Sequence, residues 1–359
     1  MTSRQSSHPL HGRRSVLTAT LRGVALGMLP ASFLQVGHAQ QGGAGVAGAP
    51  ARPSAPVTGT RLLLLGTRGG PGIDLTRAQT ASAVVVDGVP YLVDCGYGTI
   101  RQLVAANIGY QRINQIFFTH LHDDHTADLA ALLDFQWINN KATPTDAYGP
   151  FGTERMVRGA LDFSRANFEI RRVDEGRTLR AEDLFHGHDI TGSQAPVQVF
   201  KDERVTVTAV NNTHFPQRSM DRMPHRSIAH RFDTKERSIV FSGDTAYSEN
   251  VAKLAQDADI LVCEIMDESV HRQMLERARA DAAAGQTESV SRHVAETHST
   301  PEDVARMASA ARVRTVVLNH LLPGPATPGG LAYPISAFIE GVRKGFSGEV
   351  IVGQDLMVL

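Results

Sequence analysis

Thiolate chemistry is scarce in this sequence: its 359 residues include two cysteines, Cys95 and Cys263. Two thiols cannot build a thiolate-rich zinc site or a disulfide framework. Both lie in strand-like apolar runs, where cysteine behaves as a small buried hydrophobe; a single disulfide between them in an oxidising compartment is the alternative. Excess charge is lacking too. Lys and Arg number 36 against 37 Asp and Glu, a formal net charge of −1. That balance gives no general electrostatic footprint for nucleic acid or a membrane surface. Long apolar runs are also missing. The stretch Val24–Val36 is short and interrupted, whereas a membrane span needs about 20 apolar residues. Histidine, by contrast, is plentiful. There are 15, and imidazole can ligate metals where thiolate is absent. With 42% hydrophobic residues the chain can bury a full core.

The first 39 residues read as an export signal. Gly12-Arg13-Arg14-Ser15-Val16-Leu17 is followed by a weakly apolar stretch and then by the small residues Gly37-His38-Ala39. Basic, apolar and small regions in that order make a secretory leader. The arginine pair resembles the bacterial twin-arginine signal, and an ordinary Sec signal would lead to the same place: a periplasmic or secreted protein. Residues 40–59, rich in Gly, Ala and Pro, read as a flexible linker. Residues 60–359 form the catalytic domain.

Strands and helices interleave in that domain. Leu62–Leu65 is a short strand. Ala83–Val86 and Tyr91–Val93 flank Asp87-Gly88, a hairpin turn signal. Ile100–Ala106 is helix-like, Ile113–Phe118 a strand, and Ala127–Ile138 has helical spacing. Later strands are read at Val205–Val210, Ser227–Phe232, Ser238–Phe241, Ile260–Val262 and Thr315–Leu318. Helices fit Asn250–Ala255, Pro301–Ala311 and Ile335–Lys344. Two β-rich stretches interleaved with helices point to an α/β fold in which two sheets pack together with helices outside.

Thr119-His120-Leu121-His122-Asp123-Asp124-His125 carries the densest chemistry. Residues two apart on an extended segment point the same way, so His120 and His122 can reach one metal. Asp124 and His125, past the bend, can reach a second. Three further residues follow strands: His214, Asp244 in Ser242-Gly243-Asp244-Thr245, and His320 in Leu318-Asn319-His320-Leu321. A carboxylate such as Asp244 can bridge two cations with its two oxygens.

This set resembles the metallo-β-lactamase superfamily. The resemblance implies an αββα sandwich of two mixed sheets flanked by helices, with two zinc ions, or other divalent metals, at one edge. One would be held by His120, His122, His214 and Asp244; the other by Asp124, His125, Asp244 and His320. Leu65-Gly66-Thr67-Arg68-Gly69-Gly70 and Val93-Asp94-Cys95-Gly96 look like the ribonuclease Z and arylsulfatase-like branch, where Asp94 would orient a metal-binding histidine. Val262-Cys263-Glu264 and His298-Ser299-Thr300 match the same branch, implying that His298, oriented by Glu264, assists the leaving group. Thr300-Pro301-Glu302-Asp303 reads as a helix start, which places His298 just before a helix N-terminus.

The implied activity is that of an exported dinuclear zinc hydrolase. A metal-bridging hydroxide would attack a phosphodiester or sulfate ester, with Asp124 orienting it and taking its proton. A lactonase or β-lactamase-type hydrolase of carboxylic derivatives is the alternative, although the cysteine typical of one lactamase group is absent. A non-hydrolytic metal protein, an iron redox enzyme or a zinc-binding module, is the second alternative. Ribonuclease Z carries a long basic arm between its third histidine motif and its bridging aspartate. Here 29 residues separate His214 from Asp244, which leaves no room for it. With the leader and the balanced charge, this gives an expectation of a small-molecule ester substrate, no nucleic acid and no membrane. A homodimer, common in this branch, stays open. Two other histidines get lesser roles: His230, within a strand, reads as structural, and His225, after Pro224, as an exposed loop residue, with a place lining the substrate pocket as the alternative. His293, Trp137 and residues 268–296 are read as parts of a helical lid, with Arg277–Ala284 as an exposed charged helix.

Overall fold

A tight hairpin opens the fold. β1 (Thr60–Gly66) pairs antiparallel with β2 (Ala81–Val86), and β2 with β3 (Val89–Val93). Asp87 and Gly88, which join β2 to β3, both take positive φ, 48° and 79°. A two-residue hairpin loop that follows the twist of its strands requires this, and Asp-Gly tolerates it. The computed structural model describes residues 58–73, 75–267, 276, 292–322 and 335–359. The export signal, nearly all of the linker at 40–59, Arg277–Ala284 and most of the segment 268–296 lie outside these residues.

After β3 the chain turns to parallel pairing. α1 (Thr99–Ala105) leads to β4 (Gln115–Phe117), followed by α2 (Asp123–Thr126) and α3 (Leu129–Ile138). β5 (Thr145–Pro150), α4 (Thr153–Asp174) and β6 (Phe185–Ile190) complete a six-stranded sheet in the order β1-β2-β3-β4-β5-β6. The second sheet starts with antiparallel strands: β7 (Val197–Lys201), β8 (Val205–Asn211) and, after α5 (Gln217–Met220), β9 (Ile228–Thr234) and β10 (Ser238–Phe241). It continues in parallel through α6 (Glu249–Leu254), β11 (Ile260–Met266), α7 (Pro301–Ala311), β12 (Thr315–Leu322), α8 (Ile335–Arg343) and β13 (Glu349–Val352). Its order is β13-β12-β11-β10-β9-β8-β7.

The leucines of β1 show how the layers stack. Leu62 and Leu64 join Val84, Tyr91, Phe117 and Phe232 between the two sheets. Leu63 and Leu65 face the other way, toward Leu103, Leu132 and Phe168 of the helices outside the first sheet. Both faces of the strand are covered, which explains an unbroken apolar run in place of alternation. A third cluster, with Leu261, Leu318, Val304, Met307 and Phe338, seals α6, α7 and α8 onto the second sheet. The result is the expected αββα sandwich. No described helix is long and apolar enough to cross a membrane.

Several elements escaped the sequence reading. α4 spans 22 residues but is rich in Arg, Glu and Asp, and it buries a stripe of Val157, Ala160, Leu161, Ser164 and Phe168. Only the three-to-four spacing of that stripe marks it as a packed helix. The edge strands β6 and β7 carry His186, His188, Gln198 and Lys201 with little burial, as edge strands do. Trp137 corrects the lid expectation. It is buried against Phe168, with centroids 4.7 Å apart, and its indole N–H donates to Leu179 O. It therefore belongs to the helical layer under α4.

Candidate metal centre

The donors gather where strands of both sheets end. β4 delivers Thr119 to His125, β8 delivers His214, β10 delivers Asp244, and β12 carries His320 within its length rather than past its end. The last point corrects the sequence boundary. The pairing of β11 with β12 shifts between Glu264 and Ile265, and His320 takes a φ of 43°. A non-glycine residue in this region costs on the order of 1–3 kcal/mol, and here it turns the imidazole into the site. Gly69 makes room for it: a Cβ there would stand 2.6 Å from His320 Nδ1. Gly96 is equally constrained, since its Cβ would stand 2.2 Å from Asp124 O. The glycines of both motifs are thus required by close approach.

Two donor groups result. In the first, His122 Nδ1 lies 3.0 Å from His120 Nε2 and 3.2 Å from His214 Nε2. In the second, His320 Nε2 lies 3.1 Å from Asp124 Oδ2 and 3.2 Å from Asp244 Oδ2, and His125 Nε2 lies 3.3 Å from Asp244 Oδ1. Asp244 Oδ2 is also 3.7 Å from His120 Nε2, so this carboxylate touches both groups.

Their hydrogen bonds test whether they fit a metal. His214 Nδ1 donates to Thr297 O (3.2 Å), and His125 Nδ1 to Asp94 Oδ2 (2.9 Å). Thr119 Oγ1 donates to Asp94 and accepts from His120 Nδ1 (3.2 Å). Each bond puts the proton on Nδ1 and turns the Nε2 lone pair inward. The Nε2 lone pairs of His120 and His214 both face His122 Nδ1, at 3.0 and 3.2 Å, which can donate to only one of them, whereas a cation among the three would satisfy all. Donors held tetrahedrally at about 2.0–2.1 Å from zinc are themselves about 3.3 Å apart. His125 Nε2 and Asp244 Oδ1 are also buried without a hydrogen-bond partner. The residues present therefore fit a divalent metal.

The charge balance differs between the groups. Burial, with neighbouring imidazoles, holds His120 and His214 well below the usual histidine range and lowers His122. Burial also acts against protonation of His125 and His320, but Asp244 and Asp124 outweigh it and raise both. In return, those imidazoles overcome the effect of burial on Asp124 and Asp244 and hold both carboxyls below their usual range.

His298 stands beside both groups. Its Nδ1 donates to Glu264 Oε2 (2.8 Å), its ring stacks on His320 at 5.6 Å, and it packs edge-on to His214 at 5.0 Å. Burial opposes its protonation, but the Glu264 carboxylate wins and raises it to about 9. Thr245 N–H donates to the other Glu264 oxygen. Thr300 forms a capping box with Asp303 at the start of α7, which fixes the chain just after His298.

All nine sequence-named site residues, His120, His122, Asp124, His125, His214, Asp244, His320, Glu264 and His298, are thus brought together, with Asp94 behind His125. Two more residues stand beside the donors: His293, which the sequence assigned to a lid, and Phe215, which it left unassigned. The half-buried His293, in the helical residues 292–297, lies 5.2 Å from His214 and 6.1 Å from His122, ring to ring. Phe215 packs 5.5 Å from His122. Adjacency to His214 was the one available signal for Phe215. His225 is exposed and bonds Phe151 O, and His230 is buried and bonds Phe118 O. Cys95 and Cys263 are buried and free.

A two-sheet sandwich with this donor edge defines a metal-dependent hydrolase class. The chain matches the family described as the beta-lactamase superfamily domain over residues 90–321 and belongs to the metallo-β-lactamase superfamily, as a ribonuclease Z-like member. It is 31% identical to a Ribonuclease Z of Mycobacterium sp. (strain KMS), over 82% of this chain and 93% of the relative. With a Ribonuclease Z of Mycobacterium bovis (strain BCG / Pasteur 1173P2) the identity is 27%, over 82% and 96%. Among solved structures, the short form of human tRNase Z aligns with a TM-score of 0.57 at 22% identity, over 83% of this chain and 98% of that one. The metallo-beta-lactamase fold protein YhfI from Bacillus subtilis gives 0.57 at 18%, over 84% and 98%.

These relatives correct the partner expectation. A small-molecule ester with no nucleic acid does not agree with a set of ribonucleases aligned over nearly their whole length. The physical reason is that net charge averages over the whole surface, whereas binding depends on local charge. Residues 216–226, just after His214, hold three arginines against one aspartate.

Proposed function

We propose that this protein is a two-zinc phosphodiesterase that cleaves RNA outside the cytoplasm, with residues 1–39 as its export signal and 60–359 as its catalytic domain. The observation that supports this best is the joining of the two donor groups through Asp244, at the metal-site edge of a chain similar to ribonucleases Z. His120, His122, His214 and Asp244 would hold one ion, and Asp124, His125, Asp244 and His320 the other. Other divalent metals suit the same donors. Zinc in such a site lowers the pKa of water to about 7 and polarises a phosphoryl oxygen.

The chain's own residues do the remainder. Asp124, which also accepts Gly70 N–H at 2.8 Å, is placed to orient the attacking water and take its proton. His298, held at Nδ1 by Glu264, offers Nε2 as proton donor to the leaving oxygen. Such acid help is worth about 10²–10⁴-fold. Asp94 fixes the ring of His125 from behind.

The test is to purify the mature protein, measure its metal content, and offer it an end-labelled single-stranded RNA beside an aryl sulfate. We expect two zincs per chain and internal cleavage of the RNA. Intact RNA beside a hydrolysed sulfate would overturn the reading.

A further inference from the structure

Beside the donor groups lies a surface that the metal chemistry does not use. Leu121, between His120 and His122, and the ring of His225 both lie against the backbone of Gly152. A Cβ on Gly152 would stand 3.1 Å from Leu121 Cδ1 and 3.3 Å from His225 Cε1. Gly152 takes a φ of +106°, a conformation that glycine adopts without cost, so the contact is built into the backbone. On its outer side, Phe151 is 50% exposed and leans on the exposed His225 ring, with centroids 5.8 Å apart and planes at 55°. His225 Nδ1 donates to Phe151 O at 3.1 Å, which holds the pair in place. What sets Phe151 apart from the other exposed apolar side chains is its ring partner and its backbone bond to that partner.

The charge around it selects the occupant. Arg226 bonds Met223 O and His225 O and so shapes the loop, and Arg218 pairs with Glu296. Arg222 is exposed and has no ion-pair partner among the described residues. A π-surface with an exposed arginine three residues before His225 in the chain matches the two parts of a nucleotide: bases stack on aromatic side chains and phosphates are neutralised by arginine.

We propose that Phe151 and His225 form a stacking platform for a nucleobase flanking the scissile phosphodiester of a single-stranded RNA segment, and that Arg222 contacts the adjoining phosphate. This rests on the RNA-cleaving reading above and adds to it the residues that grip the substrate strand. The segment would run from the metal edge across Leu121 to the platform. Stacking ignores base identity, so the platform favours single strands over duplexes without reading sequence.

The test compares two substrates of the zinc-loaded enzyme: a single-stranded octaribonucleotide and methyl 4-nitrophenyl phosphate, a phosphodiester without bases. The readout is the ratio of their kcat/KM values. Phe151→Ala should lower that ratio by about five-fold or more, the effect of losing one stacked base, chiefly through KM. Phe151→Trp should restore it. Phe163→Ala, which truncates another exposed phenylalanine, on α4 at 82% exposure, should leave the ratio as it is. Arg222→Ala should flatten the salt dependence of oligonucleotide binding by about 0.7 in log–log slope, as expected for one lost phosphate contact. A ratio within two-fold of wild type for Phe151→Ala would overturn the platform while leaving RNA cleavage standing. A wild-type enzyme that hydrolyses only the small diester would overturn the RNA reading itself.

Discussion

The two donor groups share one carboxylate and differ in almost everything else. The group of His120, His122 and His214 brings three imidazoles, and burial keeps all three in the neutral form that binds metal. In the group of Asp124, His125, Asp244 and His320, carboxylates and imidazoles lie together and each favours the charged form of the other. The first offers nitrogen donors alone. The second mixes carboxylates with imidazoles within ion-pair distance, so metal binding there competes with protons. Asp244 is what makes the two interdependent.

The largest expected effect breaks that link. Asp244→Ala should remove at least one metal, measured by metal analysis, and reduce activity to background, because a metal's electrostatic help is worth several kcal/mol. Two retained zincs would refute the bridging assignment. Next comes His298→Ala, which should lower kcat by about 10²–10⁴-fold with both metals in place, since His298 stands beside both groups without completing either. Loss of metal in that variant would make His298 a ligand and redraw the division. Asp94→Ala should act on one side only: it frees His125 and should weaken metal binding there by about 10–100-fold. Titrating the apoprotein with zinc would reveal one weakened and one largely retained affinity; equal weakening of both would show that Thr119, which Asp94 also holds, carries the effect to His120. The smallest effect should come from Thr300→Ala. Losing the α7 cap should cost about 1 kcal/mol of stability by urea unfolding, with metal content unchanged. A fall in metal content would mean that the helix start also supports the donors.

Much of this site is legible in the sequence, and the reasons are local. H-x-H spacing puts two imidazoles on one side of an extended segment whatever surrounds it. The Asp-Gly turn, the leucine run of β1 and the Thr-Pro-Glu-Asp helix start depend on neighbours a few residues away. Elements that escaped depend on distant partners. α4 hides its buried stripe among charges, and β6 and β7 have so little burial that no alternation develops. Trp137 was misplaced for the same reason. A large aromatic in a helix carries no local sign of what it faces, and its contacts are Phe168 and Leu179. The substrate was misjudged because a charge sum has no geometry: Arg222 counts the same in the total wherever it lies.

By itself, then, the sequence determined the donor chemistry, the two-sided burial of the central strands and the family. Residue type and short spacing are properties that the chain carries before it folds. Only the tertiary structure decided that Asp244 touches both donor groups, that His320 turns inward through a left-handed backbone at a β-bulge, and that Phe151 and His225 meet beside Leu121. Those distances are set by the packing of strand ends from two sheets, which brings together residues up to some two hundred positions apart, such as Asp124 and His320, and no local pattern encodes separations of that length.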